Sequence, residues 1–257
     1  MVAKKTQDTT EITVLEMATG RVGFCILGTT PLYYNAMSEK VKRQLLMPPV
    51  KARGAQREAA LKHDPMDEFR GSLYQTRTPE TSPTRLMVPA TMIKAALMTA
   101  ALDIPGIHKT QIGRLLFVVG DEIPVYGIPT LSMKTVRSAD IKKTPDIRTR
   151  AVLPEWCALF DVEFRMPMLR SQSVANLLAI AGVTAGIGDW RAQKGAGNYG
   201  SFTLAEPSDP RVVELMENCG MDAQDAAIEN PGPYDVESED LYKWYTTEVR
   251  RRGFKTA

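Results

Sequence analysis

Two histidines and three cysteines in 257 residues remove several chemistries at the outset. His63 and His108 lie in different regions, and neither has a second His or Cys at ligand spacing, so no zinc site is expected. Cys25, Cys157 and Cys219 are odd in number and far apart, which argues against a disulfide framework. Cys25 and Cys157 sit in apolar runs and read as buried thiols, which fits a reducing cytoplasm. No window approaches the roughly 18 apolar residues of a membrane span. The opening MVAKKTQDTTEITV carries no apolar core of the signal-peptide kind, so a cytoplasmic protein is expected. Aromatic residues make up only 7% of the chain, too few for base stacking to carry binding everywhere.

Catalytic patterns are equally sparse. No serine stands in a nucleophile elbow, and no Gly-Lys-Ser/Thr opens a helix. Asp161 and Glu163 share a strand face at i and i+2, and a divergent metal-dependent nuclease would rest on them. Pairing with Arg165 or solvent accounts for them equally well. Asp189 is a lone acid in a loop, where capping a turn is its ordinary use. The expectation is a non-catalytic protein with no metal and no cofactor.

What is present is charge segregation. Between Glu206 and Asp240 stand eleven acids and one base, Arg211, a local charge of −10. With a net charge of +2 the remainder carries +12. That excess concentrates in two stretches. Lys40, Lys42, Arg43, Lys51, Arg53, Arg57 and Lys62 face one acid, Glu58. Lys134, Arg137, Lys142, Lys143, Arg148 and Arg150 face two. Basic runs of this kind suit a polyanion, bound largely through counterion release, although solvated faces carry such runs too. The acidic stretch reads three ways: a cover folded over a basic groove, a dock for a neighbouring subunit or partner, or a solvated linker.

Periodicity orders the elements. Residues 11–28 contain a strand centred on Arg21–Leu27, ended by Thr30-Pro31. Ser38 caps a short helix. Pro89 suits the first position of a helix over 89–103, with Met92, Ile93, Ala96, Leu97 and Ala100 on its apolar face. Strands are expected at 114–119 and 156–166, with strand-like pieces near 123–126 and 131–136. Ser171 starts a helix that Gly182 ends. A strand at 201–204 and helices at 211–218 and 238–252 follow. Without insertions at about 29–88 and 121–154 the order is strand, helix, strand, strand, helix, strand. This is an α+β, ferredoxin-like antiparallel sheet with two helices on one face. The core spans 11–205, and 206–257 is an acidic linker with a C-terminal helix.

The richest segment is GVTAGIGDWRAQKGAGNYGSF, residues 182–202, where six glycines interleave with Trp190, Arg191, Lys194, Asn198 and Tyr199. Backbone amides and bases can hold phosphates, and aromatic faces can stack on nucleobases. It follows a helix and leads into a strand, the reverse of a dinucleotide-binding turn. A glycine-rich crossover with Trp190 packed on the core is the plainer alternative.

GIGDWRAQKGAGNYGSFTL, in this position, resembles the C-terminal glycine-rich loop of the RAMP superfamily, which includes CRISPR backbone subunits. ILGTTPL, SEKVKRQLL, DEFRGSLY, VPATMIKAAL, EWCALFDVEF and GIGDWR, spread over about residues 20–205, resemble an uncharacterised bacteriophage protein family. The RAMP likeness covers one loop and an element order. RAMP ribonucleases often use a histidine, and none stands near this loop. The basic runs, the glycine-aromatic loop and the acidic C-terminal region point to a protein that binds single-stranded DNA, or RNA, and assembles as a homo-oligomer along the strand, and the phage resemblance implies DNA. Expected contacts are Lys40, Lys42, Arg43, Lys51, Arg53, Arg57, Lys109, Arg114, Lys134, Arg137, Lys142, Lys143, Arg148 and Arg150, with Gly188, Trp190, Arg191, Lys194 and Tyr199 from the loop. Tyr33, Tyr34 and Tyr74 are further stacking candidates. A guide-RNA-binding subunit, and an interaction protein assembling through basic–acidic pairing, are the competing readings.

Overall fold

The computed structural model describes residues 16–47, 63–137, 143–194 and 197–254, without the side chains of Lys40 and Gln44. The class is α+β. The stretch expected to be a strand around Arg21–Leu27 lies in β1 (Ala18–Gly28), whose odd and even residues face opposite ways. It pairs antiparallel with β8 (Cys157–Met166), setting Phe24 opposite Phe160 and Leu27 opposite Cys157. On its other side β1 meets β9 (Phe202–Ala205), also antiparallel. The far edge of β8 is shared by β4 (Leu116–Val118) and β5 (Glu122–Tyr126), and β3 (Met87–Pro89) extends β5. Along β9–β1–β8–β4 every neighbouring pair is antiparallel.

One face of this sheet carries Ile26, Phe160, Val162 and Phe164. It is covered by helices α3 (Ala90–Ala100) and α5 (Ser171–Thr184) through Ile93, Leu97, Val174 and Leu178. Gly182 does not end α5, which runs on to Thr184. It lies where helix and strand touch, and a β-carbon there would stand 2.1 Å from the Phe202 carbonyl oxygen. The opposite face is half covered. Val212, Leu215 and Cys219, on and beside helix α6 (Pro210–Asn218), close over Cys25, Leu27 and Cys157. Burial pushes the Cys157 thiol up to about 12, so it stays protonated.

The two expected insertions build one structure together. The first holds β2 (Leu32–Tyr33), α1 (Glu39–Leu46) and α2 (Pro65–Ser72) as well as β3. The second holds β5 and the hairpin β6 (Thr130–Arg137) and β7 (Pro145–Leu153). Strand β2 pairs with β7, so both contribute to a three-stranded sheet in the order β2–β7–β6. Strand β7 fell in a stretch read only for its charge. A short helix, α4 (Lys109–Leu115), occupies residues expected to begin a strand, and the strand itself starts only at Leu116.

Residues 206–240 carry helices docked on the core rather than forming a solvated linker. After α6 come α7 (Met221–Glu229) and α8 (Val236–Arg252), and Asn230 to Pro233 separates them. Gln224 of α7 is fully buried. Its Oε1 accepts from the Leu86 amide at 2.8 Å, and its Nε2 donates to the carbonyls of Val125, Gly127 and Cys219 at 2.9, 3.1 and 2.9 Å. Helix α8 is tied to β6 by the Ser238 hydroxyl, which accepts from the Met133 amide at 3.0 Å. The acids therefore dock on their own chain, where Asp225 pairs with Arg85, and Asp235 and Glu237 pair with Lys134.

The Arg85–Asp225 contact makes α7 sensitive to acid. Two hydrogen bonds from the guanidinium, at 2.6 and 2.9 Å, hold the Asp225 carboxyl below the ordinary aspartate value of 3.8. A depressed folded pKa contributes stability that is present above the unfolded value and lost as pH falls through the folded one. Protection of the amides over 221–229, taken relative to the intrinsic exchange rate at each pH, is expected to fall as the pH drops through and below 3.8. Arg85→Gln should remove that step. An unchanged exchange profile in the variant would show that the pair does not hold the helix.

Candidate nucleic-acid interface

Strand β2 is short because Pro31 precedes it and the chain turns away after Tyr34, whose amide still reaches the Ala151 carbonyl at 3.0 Å. Asn35 is thereby placed at the sheet rim. Ser38 then caps α1 by accepting from the Val41 amide at 3.4 Å. Helix α2 returns the chain to the same rim at Tyr74, whose hydroxyl donates to Asn35 Oδ1 at 3.1 Å. Asn35, Tyr74 and Pro89 line two adjoining hollows. The larger, about 710 Å3, carries Lys42, Arg70 and Arg77 on its walls. The smaller, about 270 Å3, lies between Tyr74, the first turns of α3, and Arg191 and Gln193 of the glycine-rich loop. Shared lining makes them one groove.

The cations of this groove are held loosely. Lys42 pairs with Glu39 at 2.6 Å, and both are exposed. Arg77 stands 3.6 Å from Glu122, with most of its side chain in solvent. Arg70 donates to the carbonyls of Ile228 and Glu229 at 3.4 and 3.2 Å. Solvent screens such exposed contacts, so they hold these side chains weakly. A phosphate can displace them with shorter, charge-assisted hydrogen bonds.

The glycine-rich loop is a packed structure. Gly188 has φ +81°, and a β-carbon on it would lie 2.5 Å from the Tyr33 carbonyl oxygen. That approach lets the Asp189 amide donate to the same oxygen at 2.9 Å. Asp189 Oδ1 accepts from the Trp190 amide at 3.1 Å, so this acid turns the backbone. Trp190, at φ 49°, puts its ring 4.9 Å from that of Tyr33, and Tyr199 sits 4.4 Å from Tyr33 on centroids. Both are half-buried. Both rings are tilted against Tyr33, at 52° and 53° between planes, so each is packed in part on protein. Tyr33 and Tyr34 are buried outright, leaving Tyr74 as the tyrosine of the three that lines the groove. Burial pushes the Tyr33 hydroxyl up, against a hydrogen bond with Ser132. Arg191 crosses the loop to donate to the Gly188 carbonyl at 2.8 Å, and Lys194 is exposed 3.8 Å from Asp189.

The remaining bases separate into groups. Arg43 is exposed on α1 beside Lys42. Lys40 is in α1, and its side chain lies outside the described residues, as do Lys51, Arg53, Arg57 and Lys142. Lys134 is paired with Asp235 and Glu237. Arg148 lies opposite it across the hairpin, and Arg150 opposite Ser132. Burial, then Arg148, push the Arg150 guanidinium below its ordinary range, with Asp189 opposing. Arg137 and Lys143 are exposed toward the hairpin tip. Lys109 and Arg114 belong to α4 rather than to strand flanks, where Gly113 abuts Met98 late in α3. The groove thus joins α1 to the loop, and the β6–β7 hairpin and α4 do not line it.

Asn35, Arg70, Arg77 and Gln193 were not among the expected contacts. None falls in a basic run, and only the return of α2 to the rim of β2 assembles them. Asp161 pairs with Arg21 at 2.6 Å on the open half of the sheet. His63 bridges Glu68 and Asp146 at 2.6 and 3.0 Å. Among the described residues no group of three or more His, Cys, Asp or Glu side chains is arranged to hold a metal ion, and no helix is long and apolar enough to cross a membrane.

No protein-family model matches the sequence, and neither does any curated protein. Among solved structures the chain is similar to one in the cryo-EM structure of the Type III-B Cmr-beta bound to cognate target RNA. The TM-score is 0.39 with 12% identity over 73% of this chain. The match spans 59% of the other chain's length.

Proposed function

We propose that this chain is a non-catalytic, single-strand nucleic-acid-binding protein that holds its ligand along the groove between α1 and the glycine-rich loop. The observation that carries this is the continuity of the two hollows through Asn35, Tyr74 and Pro89, with four cationic side chains along them. The groove is lined by single side chains rather than by a broad cationic face, which suits one strand better than a duplex. The four-strand order β9–β1–β8–β4, with two helices on one face, supports the ferredoxin-like, RAMP-like reading. Single-stranded DNA is the favoured ligand and a phage the favoured setting, both on the sequence resemblance. Assembly of copies side by side along the strand belongs to the same reading.

Fluorescence anisotropy with labelled single-stranded DNA and RNA tests it. Binding should weaken with salt at a log–log slope of about −0.7 per phosphate neutralised. Replacing Lys42, Arg70 and Arg77 together by glutamate should lower affinity at least about tenfold and flatten the slope by about 2. The oligonucleotide should remain intact with magnesium present. A flat titration for both strands at low salt would remove the proposal.

A further inference from the structure

Resting on the groove reading above, the geometry points to the 270 Å3 hollow as a seat for one pyrimidine base of the bound strand. Its floor is apolar, made by Pro89, Met92, Ala95 and Ala96. An aromatic wall, Tyr74, stands on one side. A hollow with this lining favours a flat, largely apolar ring over a phosphate, whose charge a floor of methyl and thioether groups would desolvate without repayment in hydrogen bonds.

The polar rim selects further. Tyr74 donates to Asn35 Oδ1, so that oxygen is occupied. Arg191 Nε donates to Gln193 Oε1 at 3.1 Å, so that oxygen is occupied as well. Arg191 Nη1 is directed to the Gly188 carbonyl. What is left is Asn35 Nδ2, Gln193 Nε2 and Arg191 Nη2, none of which bonds to a described residue. All three are donors. A rim of donors suits a ring bearing carbonyl oxygens. Thymine and uracil offer two, and cytosine offers one with an adjacent ring-nitrogen acceptor. Adenine has no carbonyl and offers only ring-nitrogen acceptors, with its amino donor beside N1 and N7, so it satisfies fewer of the rim donors than a ring with two carbonyls. The larger hollow, with Lys42, Arg70 and Arg77, lies next to this seat and takes the flanking phosphates.

The test compares oligo(dT), oligo(dA) and an abasic oligonucleotide of equal length by anisotropy at fixed salt. The full chain should bind oligo(dT) at least about tenfold tighter than the abasic strand, and tighter than oligo(dA). Thr91 is exposed on the first turn of α3 at the mouth of the hollow, so Thr91→Trp blocks the seat without entering the core. In that variant the oligo(dT) advantage should collapse while the salt slope is unchanged. Gln193→Ala, also at an exposed site, should reduce the advantage in part. If all three strands bind alike, or Thr91→Trp leaves their ratios untouched, the seat is refuted and the groove reading survives. If none binds, both fall.

Discussion

Gly200→Ala is expected to lower stability by about 4 kcal/mol, from a left-handed backbone penalty of about 1–2 kcal/mol and a clash and lost hydrogen bonds for the remainder. Gly200 has φ +69° and closes the glycine-rich loop. Its amide donates to the Pro31 carbonyl at 2.8 Å, and its carbonyl accepts from the Ile187 amide at 2.9 Å. A β-carbon there would lie 1.7 Å from the Ile187 carbonyl oxygen, a backbone atom that cannot yield without releasing these bonds. Gly106 supplies the control, because it has φ +78° and nothing within 4 Å of an added β-carbon. Gly106→Ala should cost only the dihedral part, about 1 kcal/mol. Urea denaturation of the two variants measures the difference. Equal shifts would mean that the loop does not depend on this close approach. If the loop is released, Arg191 and Gln193 leave the groove, so Gly200→Ala should also weaken oligonucleotide binding under conditions where the protein remains folded.

Gln224→Leu is the second large effect, a loss of about 3–5 kcal/mol. The substitution is close in volume, so packing is not the cause. The cause is the loss of four hydrogen bonds made by one fully buried amide. Leucine leaves the Leu86 amide and the Val125, Gly127 and Cys219 carbonyls facing an apolar group, and each buried orphan costs about 1–3 kcal/mol before relaxation. Gln224→Glu is the sharper probe, since it exchanges only the donating nitrogen for oxygen. The carboxylate can accept from Leu86 but meets three carbonyls with no proton to give, and its charge is buried. It should destabilise more than leucine at neutral pH, read from thermal unfolding. A milder effect than leucine would show that water reaches the site and that α7 is not sealed against β3 and β5.

Some of the molecule was legible in one dimension and some was not. Strands β1 and β8 were readable as runs rich in β-branched and apolar residues, and alternation in β8 is imperfect because apolar residues are buried on both of its faces. The apolar stripes of α3 and α5 were readable at period 3.6. Strand β7 was hidden because alternate residues along it are Asp146, Arg148 and Arg150, which read as charge before they read as alternation. Helix α6 was legible, but α7 was obscured by the acidity of its exposed face, although Gln224 is among the most buried polar residues of the protein.

By itself, the order of residues determined the chemistry on offer: few metal or nucleophile donors, a basic body, an acidic C-terminal stretch, and a glycine-rich loop leading into the last core strand. Which charges stay available was decided only by the tertiary structure. Coulomb interactions and desolvation depend on neighbours in space, and Lys134 meets Asp235 and Glu237 about a hundred residues away while Arg70 and Arg77 do not meet an equal partner. The groove exists because β2 stops after two residues and α2 brings Tyr74 back to Asn35, a contact between distant positions that no local pattern encodes.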